Sequence, residues 1–245
     1  MTRWKASGIH FSISLVIGIA AFCLLYFVYY PQPYFEPAGA SKLVLILLSV
    51  DVILGPILTL VVFKSGKKSL KFDLSSIAAV QLTALIYGLH IMWIARPIFV
   101  VASVDRLELV YAGDITEKSF AAAELPEFSK EPIAGPKLAI ARRPKPGLEN
   151  AEVMEITMSG SDTQFHPRYF LPPTRETLAK FWERAIKIKD LPAPARKIAE
   201  RYIHTQEISG NFVALPLKGR VDDYTILADI DKNQFIAAFR VSAWN

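Results

Sequence analysis

Three uninterrupted apolar runs in the first hundred residues, at about 9–30, 43–63 and 74–94, constrain this chain more than anything that follows. Each is about 20 residues long, enough for a helix to cross a hydrocarbon layer about 30 Å thick. Beyond Pro97 the apolar density falls to that of an ordinary globular sequence. The pattern predicts a membrane-anchored α+β protein. Three transmembrane helices form an anchor over residues 1–96, and a mixed α/β domain occupies residues 97–245.

The loops predict an orientation. Arg3 and Lys5 precede the first run, and Lys64, Lys67, Lys68 and Lys71 lie between the second and third, against Asp73. The other short connection, residues 31–41, holds no Lys or Arg. Short basic loops stay on the cytoplasmic side. The N-terminus and the 64–71 loop are therefore expected on the cytoplasmic side and residues 97–245 outside, which is the periplasm if the membrane is the inner membrane of a Gram-negative bacterium. The net charge of +5 is partly this loop effect and is not read as nucleic-acid binding.

The first run is too long for a cleaved signal peptide. Tyr29, Tyr30, Pro31, Gln32, Pro33, Tyr34 and Phe35 follow it, and small residues such as Ala38 and Ala40 come too late for a cleavage site. These aromatics read as an interfacial belt. The single cysteine, Cys23, leaves no intramolecular disulfide, so the outer domain has to hold together by burial.

Asp51 is the most unusual residue of the anchor, near the middle of the second run. A charged side chain there is costly and normally faces protein or water. Gly55 and Pro56 follow one turn later, and a proline without an amide predicts a kink. Thr59, two turns below Asp51, is placed to satisfy freed backbone groups. Three readings of Asp51 are weighed. As packing glue it is protonated, or bonded to Gln81, Tyr87 or His90 of the third run, within the anchor; as a partner contact it meets a polar or cationic group of another membrane protein. The third is a proton relay, for which one acid without a chain of further ionisable groups is a poor conduit. Ser14 and Gly18 form a small-residue pair that allows close helix approach.

In the outer domain, residues 98–104 and 107–111 read as strands, and Asp114 or Thr116 caps a helix reaching Leu125. A strand at 137–141 and a helix at 149–158 follow, the latter ended by Gly160-Ser161-Asp162. Apolar spacing from Thr177 to Ile188 predicts a longer helix capped by Thr174, and Pro192 and Pro194 start another that runs to about Thr205. Three strands at 212–217, 224–229 and 235–241 form a C-terminal antiparallel β-meander.

Signatures of chemistry are sparse. The chain has no nucleophile elbow, zinc helix, paired-cysteine motif or phosphate loop. Asp229, Asp231 and Asn233 open like a calcium loop, but Gln234 and Arg240 stand where glycine and glutamate are needed, so a hairpin turn is expected. Ser161 near His166 reads as turn chemistry. No enzyme, cofactor or metal is expected. The segment 165–173, with Arg168 and Tyr169 among prolines and aromatics, reads as a strap across the sheet or as a binding surface.

Several stretches together resemble the type IV pilin accessory proteins of the TfpX/TfpZ kind. They are Arg3-Trp4-Lys5-Ala6-Ser7-Gly8-Ile9-His10, Tyr30-Pro31-Gln32-Pro33-Tyr34-Phe35, the run from Asp51 to Leu60, and Lys71-Phe72-Asp73-Leu74. Ala95-Arg96-Pro97 with Val104-Asp105-Arg106, Pro167-Arg168-Tyr169, and the tail through Leu215-Pro216-Leu217 and Thr225-Ile226-Leu227 add to it. The resemblance implies a non-enzymatic partner of a type IV major pilin, chaperone-like in supporting its stability or assembly into pili. Partners on this reading are the pilin, membrane lipids and pilus assembly platform proteins. Asp51, Gly55, Pro56 and Thr59 would form a groove for a partner helix, and Arg168 and Tyr169 a contact on the outer domain. A membrane-bound enzyme modifying pilin, a regulator and a structural component of the platform are the alternatives.

Overall fold

A computed structural model describes residues 1–103, 106–158 and 160–244. Val104 and Asp105, the end of the first expected strand and part of one resemblance motif, lie outside the described residues. The chain divides into two units, one formed by Met1–Val28 with Ala40–Ile94 and the other by Tyr29–Gly39 with Ala95–Asn245.

The first unit is helical. Its three continuous helical stretches, Arg3–Tyr29, Ala40–Val62 and Leu70–Ile94, are long and apolar enough to cross a membrane. Helix α1 (Arg3–Cys23) starts at Thr2, whose hydroxyl accepts from the Lys5 amide at 3.3 Å, and widens into a π-helical segment at Leu24–Tyr29. The second stretch consists of α2 (Ala40–Ser49), a π-helical segment at Val50–Leu54 and α3 (Gly55–Val62). Proline cannot donate to the helical ladder, and the wider π turns lie immediately ahead of Pro56. Helix α4 (Leu70–Ile94) is the third stretch.

Small residues set the close approaches in this unit. A Cβ built on Gly18 would lie 3.3 Å from Val52 Cγ2 and 3.5 Å from Leu48 Cδ2, and Ser14 one turn earlier is buried. At Gly88 an added Cβ would overlap the Leu47 side chain. Such contacts replace the hydrophobic driving force that lipid removes from helix association.

The second unit is a mixed sheet with helices. Strands β1 (Pro97–Ala102) and β2 (Leu107–Tyr111) pair antiparallel, while β3 (Lys137–Ala141) lies parallel to β1 on its other side. Every residue of β1 and β2 is buried, as expected of strands covered on both faces. Strands β4 (Phe170–Leu171), β5 (Ile186–Lys187), β6 (Phe212–Lys218), β7 (Asp223–Asp229) and β8 (Gln234–Phe239) complete an eight-stranded sheet among the described residues. Its order is β4-β3-β1-β2-β6-β7-β8, with β5 paired to β6 as well. Strands β6, β7 and β8 form the C-terminal antiparallel meander.

Four phenylalanines organise one core. Phe99 meets Phe120, Phe128 and Phe170 at centroid distances of 6.4, 5.9 and 5.2 Å. A smaller cluster packs Ala195 and Ala199 of helix α8 (Ala193–Thr205) against Ala214 and Leu191. Tyr29–Gly39 belong to this unit. The Pro37 carbonyl accepts from the Arg220 amide at 2.9 Å, and Tyr34 meets Phe235 edge-on at 6.5 Å.

Two helices are shorter than their apolar spacing predicts. Helix α5 covers Glu117–Ala121, capped by Thr116, and stops before the Pro126–Phe128 turn. Helix α7 (Arg175–Trp182) ends six residues before Ile188, because Ile186 and Lys187 pair with Ala214 and Val213 instead. Pairing to a distant strand overrides the local period here. Helix α6 (Leu148–Met158) has none of its residues fully buried.

Candidate functional site in the apolar helices

A groove of about 240 Å³ opens in the helical unit between α1 and α4. Ile13 and Ile17 of α1 and Ala78, Leu82 and Leu85 of α4 are its apolar lining, and Asp51, Gln81, His10 and Ser14 line it as well. A second groove of about 260 Å³, lined by Leu43, Leu47, Val50, Ala84 and Ile91 among others, has no ionisable carboxyl or amide side chain on its wall. The carboxyl of Asp51 and the carboxamide of Gln81 distinguish the first.

Asp51 lies in the π-helical segment and is only 6% exposed. Gln81 Nε2 donates to the Asp51 backbone carbonyl at 3.1 Å. Among the described residues the carboxyl oxygen Asp51 Oδ1 is buried without a hydrogen-bond partner, and so is Gln81 Oε1. Tyr87 and His90, the other partners considered for Asp51 from the sequence, are exposed on α4.

Gly55, Pro56 and Thr59 are buried and tied to the neighbouring helices. A side chain on Gly55 would overlap the Gln81 carboxamide, so this glycine is what admits Gln81. The Pro56 carbonyl accepts from Ser7 Oγ at 2.8 Å. Thr59 Oγ1 bonds to His10 Nδ1 at 2.6 Å, across to α1 rather than along its own helix. Sequence reading overlooked Ser7 and His10. A polar residue at the start of an apolar helix resembles ordinary flanking sequence until its partner 49 residues away is known.

In the other unit, Arg168 and Tyr169 form a short 3₁₀ turn with Pro167. Tyr169 is fully buried, and Arg142 and Arg168 lie over its ring at 5.1 and 5.8 Å from the centroid. Arg168 donates to Glu152 at 2.6 Å, and Arg142 to Glu149 at 2.7 Å, both carboxylates on α6. The Arg142 guanidinium, helped by the Lys145 amide, holds the Glu149 carboxyl down to about 2. Burial of Tyr169 leaves direct contact with any partner to the half-exposed Arg168.

Ser161 and His166 do meet, Oγ to Nε2 at 3.1 Å, and burial pushes the imidazole below its usual value. Asp162 spends Oδ1 on the Thr163 amide at 2.7 Å. The Asp229 carboxylate accepts from the Asp231 and Lys232 amides at 3.0 and 3.4 Å, which is a turn cap, and Asn233 accepts from Trp182 Nε1 at 2.9 Å.

The family model described as fimbrial assembly protein FimB matches residues 1–39. Among curated proteins, the fimbrial assembly protein of serogroup E1 from Dichelobacter nodosus is 36% identical over 174 residues, covering 70% of this chain and 67% of that protein. The serogroup I protein of the same organism matches to the same extent. The protein of serogroups C1 and C2 is 39% identical over 113 residues, 45% of this chain and 86% of its own length. No solved structure matches. With relatives this similar over two thirds of their length, the chain belongs to the fimbrial assembly protein family.

Proposed function

We propose that the protein serves fimbrial assembly as a non-enzymatic accessory factor of the TfpX/TfpZ kind. In this reading it holds a type IV major pilin in the inner membrane and supports its stability or entry into pili. Family membership supports the role in fimbrial assembly. The three membrane-length helices support a role at a membrane. The observation that carries the finer reading is the α1–α4 groove with Asp51 on its wall, a recess among membrane-length helices where another apolar helix can lie along the seam and insert a side chain.

The helical unit within residues 1–96 acts as the anchor and the unit that holds residues 97–245 as the outer domain, with Arg3, Lys5 and the lysines of the 64–71 loop supporting a cytoplasmic N-terminus and a periplasmic domain. Asp51 lines the recess, Gly55 admits Gln81 and Thr59 holds His10 on its wall, Pro56 ties α1 through Ser7, and Arg168, backed by Tyr169, offers a cation to the pilin head. A pilin in transit to a filament has to leave its holder, so the complex is transient.

Photo-crosslinkers at Ile13, Leu82 and Arg168 of the full-length protein test this in cells. Capture of major pilin from the membrane positions supports the reading, and its absence from all three would sink it. The enzyme alternative has one observation in its favour, the Ser161–His166 contact. It requires pilin of altered mass in a strain carrying Ser161→Ala.

A further inference from the structure

We infer that the α1–α4 groove is a site for a cationic N–H donor, an ammonium of the lysine type, carried by an apolar helix of another membrane protein. The inference rests on the reading above that the anchor receives a partner helix, and it names the chemistry by which that helix is recognised.

Two oxygens on the groove wall lack donors. Asp51 Oδ1 and Gln81 Oε1 are both buried with no hydrogen-bond partner among the described residues. Gln81 faces the Asp51 side chain, yet Oδ1 is left without a hydrogen bond. Gln81 has directed Nε2 to the Asp51 backbone carbonyl, at 3.1 Å. His10, which lines the same groove, turns Nδ1 to Thr59 Oγ1 at 2.6 Å. A buried acceptor without a donor is costly, and more so in a hydrocarbon surrounding where water does not make up the loss. Both orphan groups being acceptors, the occupant they fit is a donor, and a carboxyl among them favours one that carries positive charge.

The remaining wall limits how that donor arrives. Ile13, Ile17, Leu82 and Leu85 are apolar. The volume, about 240 Å³, suits one long side chain rather than a whole helix. A helix resting along the α1–α4 seam could insert an aliphatic stem whose ammonium ends at Asp51, as lysine stems bury their methylenes while the head finds a polar group. The wholly different lining of the second groove predicts no such preference there.

The test uses the full-length chain in nanodiscs and a pair of synthetic probes. Each probe is a Leu/Ala transmembrane peptide, identical except for one central residue, lysine in the first and norleucine in the second. Association is read by fluorescence transfer from the peptide to a dye on Cys23. The lysine peptide should associate about three- to tenfold more tightly than the norleucine peptide, the range expected of an interhelical polar bond. Asp51→Leu should erase that preference, and Asp51→Asn, which keeps shape and an acceptor but no charge, should reduce it. Gln81→Leu should reduce it as well.

Equal association of the two peptides with the wild type overturns the inference without relying on any variant's folding. So does a lysine preference that survives Asp51→Leu. Pilin capture by the crosslinkers with no lysine preference leaves the proposed function standing and removes only the donor chemistry. A lysine preference without pilin capture keeps the site and assigns it to a different membrane partner.

Discussion

The Gln81 carboxamide fills the space that a side chain at Gly55 would need, and from there its Nε2 reaches the Asp51 carbonyl at 3.1 Å. One glycine, one amide side chain and one backbone carbonyl thereby tie the second and third helices together. Gly55→Ala should displace Gln81 and destabilise the helical unit by roughly 1–3 kcal/mol, the usual cost of overpacking. Unfolding in mixed micelles checks this. The double variant Gly55→Ala with Gln81→Ala should recover most of the loss, because the overlapping atoms are gone.

The contact between His10 and Thr59 ties α1 to α3 at 2.6 Å. Interhelical polar bonds in membranes average about 0.6 kcal/mol and reach about 1.7 kcal/mol. A double-mutant cycle of His10→Phe and Thr59→Val should return a coupling within that range. A coupling of zero would mean that the two side chains pack without bonding.

Helix α6 is held by charge. Arg142 bonds to Glu149 and Arg168 to Glu152, while Leu148, Met154 and Met158 are exposed. Glu149 titrates near 2 in the folded chain, below its value of about 4.3 when unfolded. Its contribution to stability is therefore present above about pH 4.3 and is lost as pH falls toward 2. Carboxyl carbon shifts should give this titration directly. Arg142→Ala should raise Glu149 toward the ordinary carboxylate range, the Lys145 amide keeping part of the shift, and speed amide exchange along α6 first.

Arg96 is 1% exposed, and its Nη2 donates to Glu131 Oε1 at 2.6 Å and to the Pro132 carbonyl at 2.9 Å. Arg96→Ala should cost about 3–5 kcal/mol, as expected when a buried pair is broken. Glu131→Gln, which keeps an acceptor at a half-exposed position, should cost less. Chemical denaturation followed by tryptophan fluorescence would rank the two.

Buried imidazole behaves in the opposite chemical sense to a bound carboxylate but with the same sign in pH. His166 is held below its usual value by burial, so the folded chain disfavours its protonated form. Stability should be full above about pH 6.5 and decline as the solution becomes more acidic. His166→Gln should flatten that part of the profile.

Wherever the deciding force acts within a few residues, the sequence was sufficient. The three membrane-length helices, the caps at Thr116 and Thr174 and the closing β-meander follow from apolar runs, short polar side chains and alternation. So does the Asp229 turn, whose carboxylate bonds amides two and three residues on. Asp51 stood out because an acid in an apolar run is rare, while Ser7, His10 and Gln81 carried no comparable signal.

Tertiary structure alone decided which separated segments meet. It set β3 parallel to β1, set β2 parallel to β6, and drew Ile186 out of a helical period into a strand. It joined Tyr29–Gly39 to the globular unit, buried Tyr169 between two arginines, and turned Thr59 toward α1. Periodicity reports which face of a segment is buried but not what buries it. The partner is selected by shape and by unpaired polar groups that come together only once the chain has closed on itself.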